Sequence, residues 1–302
     1  MQTVGGQAVL EGVMMRGPGN WAVAVRTPSG DIAHVARAVE SKMAKHRLLR
    51  LPVVRGVMAL GESLAIGFRA LAISANYAAQ EEGAEGEPET ELSRGALFFA
   101  FAVAIGFAVL LFKVTPGLLT ELLPIKNGGW FVIVEGLIRV AIFVVYLTLI
   151  SLLPDLRRVF QYHAAEHKAI NAYEAGEPLE PEVVQRFSLI HPRCGTAFLL
   201  WVMVIAVFVF AFFGRPAWYW LIVTRIAFLP LIAGIAYELI RFAAKHQNRV
   251  VMTVLAPGLW LQRLTTREPT LDQLEVSIRA LREVLQLESA AAPEAQRVEV
   301  MA

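Results

Sequence analysis

The sequence has little of what secreted and ordinary soluble proteins contain. It holds one cysteine, Cys194, which excludes an intramolecular disulfide framework. Only 18% of its 302 residues are charged and the formal net charge is +2, so the charge balance gives no reason to expect a nucleic-acid partner. Residues 1–10 lack the basic segment and the continuous apolar core of a signal peptide. We therefore expect membrane insertion to depend on internal segments.

Apolar side chains are abundant instead. The hydrophobic fraction is 56% and the mean hydropathy is +0.52, against roughly 45–50% apolar residues in soluble domains. Four long apolar runs each approach the roughly 20 residues that cross a bilayer. They occupy residues 95–112, 130–153, 196–213 and 217–242. The sequence therefore predicts an α-helical polytopic membrane protein with four transmembrane helices, rather than a soluble protein with a large core.

The distribution of lysine and arginine predicts the orientation of these helices. Of the 28 basic residues, ten lie in residues 1–94, five in 154–195 and seven in 243–302. Four crossings place these three regions on one side of the membrane, which the positive-inside rule makes the cytoplasmic side. Both termini are therefore predicted to be cytoplasmic, and the lipid bilayer is the expected partner.

The segments outside the crossings are predicted to form a mixed α/β cytoplasmic cap. Residues 20–27 and 31–39 alternate around a Pro28-Ser29-Gly30 turn, as β-strands do, and Thr270 and Gln273 match a capping box at the start of a C-terminal helix. In chain order, the predicted units are a β-rich segment (1–53), a helix (54–79), an acidic linker (80–94), a transmembrane hairpin (95–153), a His-rich loop (154–195), a second transmembrane hairpin (196–242), a C-terminal helical segment (243–288) and a disordered tail (289–302).

The predicted helix at 54–79 is apolar except for Arg55, Glu62 and Arg69, which are spaced by seven residues and form one polar stripe. A crossing here would put residues 154–195 and the C-terminus on opposite sides of the membrane. We therefore expect an interfacial or re-entrant helix whose polar stripe faces protein or lipid headgroups.

A few charged residues fall inside the predicted crossings. Glu135 and Arg139 are four residues apart in the second crossing and are expected to pair with each other. Arg225 in the fourth crossing has no local partner and is expected to face the interior of the bundle.

Residues 5–18 are unusually rich in glycine for a strand. One interpretation is a bulged or sharply turned segment, and the other is a backbone that lies close to a ligand or to another chain. The sequence leaves both open.

The most specific motif is His-x-x-Glu-His at residues 163–167, in a predicted cytoplasmic helix between Pro154 and Gly176. His163 and His167 lie one turn apart on one helix face, with Glu166 beside them. Two imidazoles and a carboxylate in this order can hold a divalent metal and a proton-accepting base, as in the inverted zinc-protease motif. The alternative is a set of side chains that only hydrogen-bond to each other and to nearby backbone.

Three further residues are candidate metal ligands. His191 and Cys194 form a short pair in the same cytoplasmic connection, and imidazole and thiolate both bind zinc. Glu238 near the cytoplasmic end of the last crossing is either a ligand or the partner of a nearby cation such as Arg241. Four ligands from His163, His167, His191 and Cys194 would make a closed structural site, whereas three ligands and Glu166 as base would make a hydrolytic one. The spacing does not choose between them.

Several of these segments together resemble the bacterial YqhQ-like family, a group of membrane proteins of unknown function labelled "predicted metal-dependent enzyme". The resemblance covers about residues 4–287. It implies a bacterial cytoplasmic (inner) membrane protein with a metal site, but neither a substrate nor a reaction. The segments that carry it are residues 5–16, 163–168, 191–196, 237–238 and 268–269.

The favoured functional hypothesis is a divalent-metal site, with zinc as the favoured ion, at the cytoplasmic membrane face of a metal-dependent hydrolase. The alternative is a non-enzymatic scaffold or regulator of other membrane proteins, whose His/Cys cluster is structural. A third is an ion or small-solute transporter, which the scarcity of charges in the crossings and the lack of paired repeats disfavour. Other membrane proteins and a second copy of the chain remain open as partners.

Overall fold

The structure is a computed structural model that describes residues 2–41, 43, 46–78, 94–214, 217–246 and 248–290. The predicted acidic linker at 80–94 and the predicted tail at 289–302 lie almost entirely outside these residues.

The described chain is mostly helical, with one small antiparallel sheet near the N-terminus. The strands are β1 (Gly5–Val9), β2 (Gly12–Arg16), β3 (Asn20–Arg26) and β4 (Ile32–Ala38). The α-helices are α1 (Val54–Ala78), α2 (Arg94–Val109), α3 (Thr115–Glu121), α4 (Gly128–Ser151), α5 (Pro154–Ala175), α6 (Pro181–Val184), α7 (Gly195–Ala211), α8 (Trp218–Lys245), α9 (Arg249–Thr265) and α10 (Leu271–Ala290). A 3₁₀ turn at Arg47–Arg50 precedes α1, and a π-helical turn at Leu110–Val114 joins α2 to α3.

The sheet is a meander in the order β1-β2-β3-β4, so each strand pairs with its neighbour in the sequence. Side chains alternate between the two faces of a strand, and both faces of this sheet are covered. On one face, Met15 and Ala22 pack against side chains of α5 and α10. On the other, Met14 and Val23 pack against α1. The sheet therefore joins α1 to the two helices of the cap, α5 and α10.

The ends of two cap helices follow local sequence signals. Pro154 occupies the first turn of α5, and Gly176 ends this helix in a left-handed conformation with φ of 77°. At the start of α10, the Thr270 amide donates to Gln273 Oε1 over 3.0 Å and the Gln273 amide donates to Thr270 Oγ1 over 3.4 Å. These helix boundaries and the capping box are confirmed.

Four helices among the described residues are long and apolar enough to cross a membrane, namely Val54–Ala78, Phe98–Glu121, Gly128–Ser151 and Val223–Lys245. Three of them overlap predicted crossings. The remaining predicted crossing, at 196–213, forms α7, a shorter apolar helix of 17 residues, at the lower limit of the roughly 17–25 residues that cross a bilayer. The fourth helix of sufficient length is α1, which the charge distribution had assigned to the interface.

Two of the three residues in the polar stripe of α1, Arg55 and Glu62, face protein, as predicted, whereas Arg69 is exposed. Glu62 accepts a hydrogen bond of 2.8 Å from Arg16 of β2 and another of 2.8 Å from the Ser41 hydroxyl. Arg55 forms two hydrogen bonds with Glu238 of α8, of 2.7 and 2.6 Å. These ion pairs fix α1 between the sheet and α8.

Candidate metal centre

The candidate centre lies where α5 meets the loop before α7 and the end of α9. The 3.6-residue helical repeat brings His163 and His167 to one face of α5, with their ring centroids 4.5 Å apart. Cys194 is the residue immediately before α7 and is buried. The tertiary fold therefore brings Cys194 to the two histidines of α5, although Cys194 follows His167 by 27 residues in the sequence.

His163 is oriented by the backbone of α9. Its Nδ1 lies 2.8 Å from the Thr265 carbonyl oxygen. Because a carbonyl oxygen can only accept, Nδ1 must carry the proton of the neutral ring, and Nε2 presents a lone pair. That Nε2 lies 3.3 Å from Cys194 Sγ.

His167 is oriented in the same way. Its Nδ1 lies 2.6 Å from the Leu189 carbonyl oxygen, so the lone pair is again on Nε2. This Nε2 is buried and has no hydrogen-bond partner within the described part of the chain. A buried polar atom without a partner is costly and points to a group that the protein alone does not supply.

These three side chains have the donor atoms and the spacing of a divalent metal site. One ligand atom from each of His163, His167 and Cys194 lies within 4.8 Å of the other two. Around a tetrahedral zinc ion, a sulfur at about 2.3 Å and a nitrogen at about 2.0 Å are roughly 3.5 Å apart, close to the 3.3 Å between Cys194 Sγ and His163 Nε2. Backbone carbonyls that fix the other ring nitrogen are typical second partners of metal-binding histidines.

Glu166 lies beside this group and is only 2% exposed. Burial raises the pKa of its carboxyl to about 7, and the charge of Arg193 offsets this rise only in part. The backbone of β1 approaches this side chain closely, because a Cβ on Gly6 would lie 2.8 Å from Glu166 Cγ. The glycine-rich segment thus forms β1 and β2, and the backbone of β1 contacts the predicted base.

His191 lies next to the group of three without belonging to it. Its ring centroid is 5.8 Å from that of His167, and its Nε2 lies 3.5 Å from Glu174 Oε2. Burial lowers the pKa of His191 to about 4 despite the opposing hydrogen bond to Glu174, so the ring is neutral at pH 7. Glu174 also accepts a 2.5 Å hydrogen bond from Arg193.

Glu238 is placed away from the group of three. Its carboxylate accepts hydrogen bonds from the Arg55 side chain and from the Val53 amide. Arg241 lies 3.8 Å from the same carboxylate. The structure therefore uses Glu238 in an ion pair, which was one of the two interpretations left open by the sequence.

Some residues that shape the site had no signal in the sequence. The buried Gln262 side chain accepts from the His191 amide and donates to the His191 carbonyl, both over 2.9 Å. The backbone carbonyls of Thr265 and Leu189 also had no signal in the sequence, because any residue type supplies the same carbonyl group. Lys168 is buried and donates to the carbonyls of Gln185 and Phe187, which holds the loop that carries Leu189 against α5.

Comparison with known proteins gives the family. The family described as "Protein of unknown function (DUF1385)" matches residues 51–287. The chain belongs to this family. It is also similar to the "Uncharacterized protein YqhQ" of Bacillus subtilis (strain 168), with 33% identity over 299 residues, which covers 94% of this chain and 93% of the relative. No solved structure matches significantly. The family match includes His163, Glu166, His167 and Cys194, but its description carries no reaction.

Proposed function

We propose that the protein is a metal-dependent hydrolase of the bacterial inner membrane, with its metal centre on the cytoplasmic face. His163 and His167 would hold a divalent ion, zinc by preference, through their Nε2 atoms, and Cys194 through Sγ. The observation that carries the proposal is the buried Nε2 of His167, which has no partner among the described residues and points to the same place as two other donor atoms.

The donor set argues for a site with an open position. Three protein ligands are typical of catalytic zinc sites, whereas structural sites close the sphere with four. His191, the fourth candidate, is engaged with Glu174 instead. A divalent ion held here would polarise a carbonyl or phosphoryl oxygen and acidify a water molecule.

The role proposed for Glu166 is that of the base. Its carboxylate is not among the three donor groups, and its side chain lies against the backbone of Gly6. It would accept a proton from water, while the carbonyls of Thr265 and Leu189 keep both imidazole rings in the tautomer that leaves Nε2 free.

A second candidate function follows from one distance. Cys194 Sγ and His163 Nε2 lie 3.3 Å apart, and the other nitrogen of His163 is held by Thr265. A thiol, a base and a group that orients the base also form the arrangement of a cysteine nucleophile. This candidate needs no metal and leaves Glu166 and His167 without a direct role.

Metal content separates these functions. Protein purified without chelators is expected to carry about one zinc ion per chain, since the three donors form one site. His167→Ala should lose the metal and Glu166→Gln should retain it, while His34→Ala on exposed β4 is the matched control. In a strain that lacks the gene, Glu166→Gln should fail to restore function although it folds and binds metal.

Other outcomes would decide against the proposal. Wild-type protein without stoichiometric metal, together with loss of function in Cys194→Ser and retained function in His167→Ala and Glu166→Gln, would favour the cysteine nucleophile. If the metal is present but Glu166→Gln restores function fully, the centre is structural and the hydrolase proposal fails. The chain would then fit the scaffold or regulator hypothesis.

A further inference from the structure

A second polar cluster lies within the long apolar helices. Three basic side chains from three helical segments converge on one carboxylate, that of Glu135 in α4. Lys113 Nζ lies 3.3 Å from Oε1, and Arg225 Nη2 of α8 lies 3.5 Å from Oε2. Arg139, one turn further along α4, also donates to Oε1, so the predicted pair of Glu135 and Arg139 is confirmed.

The charges of this cluster do not balance. Three cations surround one anion, which leaves a formal excess of two positive charges among apolar helices. In the sequences of the apolar helices α2, α3, α4, α7 and α8, the other acidic residues are Glu121, the last residue of α3, and Glu238, which binds Arg55. Uncompensated charge at membrane depth is expensive, so it marks a functional site by default.

Hydrogen-bond donors are also in excess. Two guanidinium groups and one ammonium group offer about 13 N–H donors. Within the described residues, they meet the Glu135 carboxylate and the Phe112 carbonyl, which accepts from Arg139 Nε over 2.8 Å. The Arg225 guanidinium lies 4.0 Å from the centre of the Phe210 ring, so part of its surface faces an aromatic group and not an acceptor. The cluster can therefore accept a ligand rich in oxygen atoms.

The cluster lies apart from the candidate metal centre. Phe210 is near the far end of α7 and Cys194 precedes its first residue, so the two positions are separated by about 24 Å along the helix.

Lys113 lies in the π-helical turn Leu110–Val114, a rare conformation that is frequent at functional sites. The Lys113 side chain is 38% exposed, which gives the cluster access to the surface of the helices.

We propose that Lys113, Arg139 and Arg225 form a binding site for a phosphate group, and that Glu135 holds the three cations in place. A phosphate neutralises the excess charge, and its tetrahedral oxygens match the donor geometry of guanidinium and ammonium groups. The phosphate can belong to a soluble anion or to the headgroup of an anionic lipid that reaches Lys113 from the side of the bundle. This proposal is independent of the metal centre.

Thermal unfolding of the purified protein in a phosphate-free, non-ionic detergent tests the proposal. Inorganic phosphate and phosphatidylglycerol are added in separate titrations at constant ionic strength, with sodium chloride as the reference. Each bound ligand raises the thermal midpoint with its concentration. A response to inorganic phosphate identifies a soluble anion as the ligand, and a response to phosphatidylglycerol alone identifies a lipid headgroup.

Variants separate this site from general charge effects. Arg225→Gln and Lys113→Gln should each weaken binding about tenfold or more, because each removes a charge-assisted hydrogen bond. Lys245→Gln, at the exposed end of the same helix as Arg225, should bind like the wild type. Glu135→Gln keeps the three cations and removes the internal anion, so its midpoint should be lower without ligand and should rise further on addition.

Three results would overturn the proposal. The first is a wild-type protein that responds to neither ligand beyond the salt reference. The second is a response of Arg225→Gln and Lys113→Gln as full as that of Lys245→Gln. The third is an unchanged midpoint of Glu135→Gln without ligand, which would show that the carboxylate does not hold the three cations.

Discussion

Gly6 of β1 and Glu166 of α5 are in close contact: a methyl group on Gly6 would lie 2.8 Å from Glu166 Cγ and 3.0 Å from Cδ. A glycine at this position lets the strand backbone lie directly against the candidate base. The close approach explains part of the glycine content of residues 5–18 and links the sheet to the chemistry of α5.

Gly6→Ala should therefore destabilise the protein by about 1–3 kcal/mol, because the added methyl group overpacks a buried site. The same methyl group should displace the Glu166 side chain and reduce complementation. The matched control is Gly61→Ala in α1, where a Cβ would meet nothing within 4 Å. In a helix interior, that substitution should be neutral or stabilising by up to about 1 kcal/mol. Equal thermal midpoints for Gly6→Ala and Gly61→Ala would contradict the close contact between Gly6 and Glu166.

The ion pair between Arg16 and Glu62 should be strongly coupled. Arg16 is 1% exposed, so Glu62→Leu would leave a buried guanidinium without its carboxylate and should cost about 3–5 kcal/mol. Glu177→Leu, at an exposed carboxylate after α5, is the control and should change the midpoint little. The double variant Arg16→Met/Glu62→Leu should recover most of the loss in a double-mutant cycle. Additive losses would show that the pair carries no coupling energy.

Gln262 should be needed for the position of His191 and Cys194. Gln262→Leu removes both hydrogen bonds to the His191 backbone. The His191 carbonyl still accepts from the Cys194 amide, whereas the buried His191 amide loses its partner at a cost of about 1–3 kcal/mol. The variant should also bind zinc more weakly, because the turn that carries Cys194 loses its anchor. Gln286→Leu, at an exposed position of α10, is the control. Unchanged zinc affinity in Gln262→Leu would show that the Cys194 turn is held by other contacts.

The predicted orientation can be tested by labelling single cysteines in intact cells. Native Cys194 is buried and should stay silent towards an impermeant maleimide. A cysteine at Leu122, between the second and third of the long helices, should react from outside, whereas a cysteine at Glu177 should react only after the membrane is opened. External reaction at Glu177 would move the candidate metal centre out of the cytoplasm and overturn the four-crossing arrangement.

Local patterns in the sequence predicted the parts of this protein that depend on local interactions. The proline and glycine around α5 set its ends, and the helical repeat put His163 and His167 on one face because that geometry needs only residues a few positions apart. The same holds for the capping box of Thr270 and Gln273 and for the pair of Glu135 and Arg139.

The length of individual helices was less predictable. Apolar composition predicted a crossing at 196–213, and the helix there ends two residues before the predicted end, at Ala211. The charges of α1 predicted an interfacial or re-entrant helix with its stripe on protein or headgroups, but they did not identify the partners that Glu62 and Arg55 find in the sheet and in α8. A hydropathy pattern records how polar a segment is, but not which protein groups neutralise its charges.

The sequence by itself determined the apolar helices, the strands of the cap and the His-x-x-Glu-His face of α5. Only the tertiary structure decided that Cys194 joins this face, that His191 binds Glu174 and that Glu238 binds Arg55. The reason is that periodicity fixes the face of an element on which a residue lies, because it arises from backbone geometry within that element. The partner of that face comes from a distant segment, and packing of the whole chain selects it.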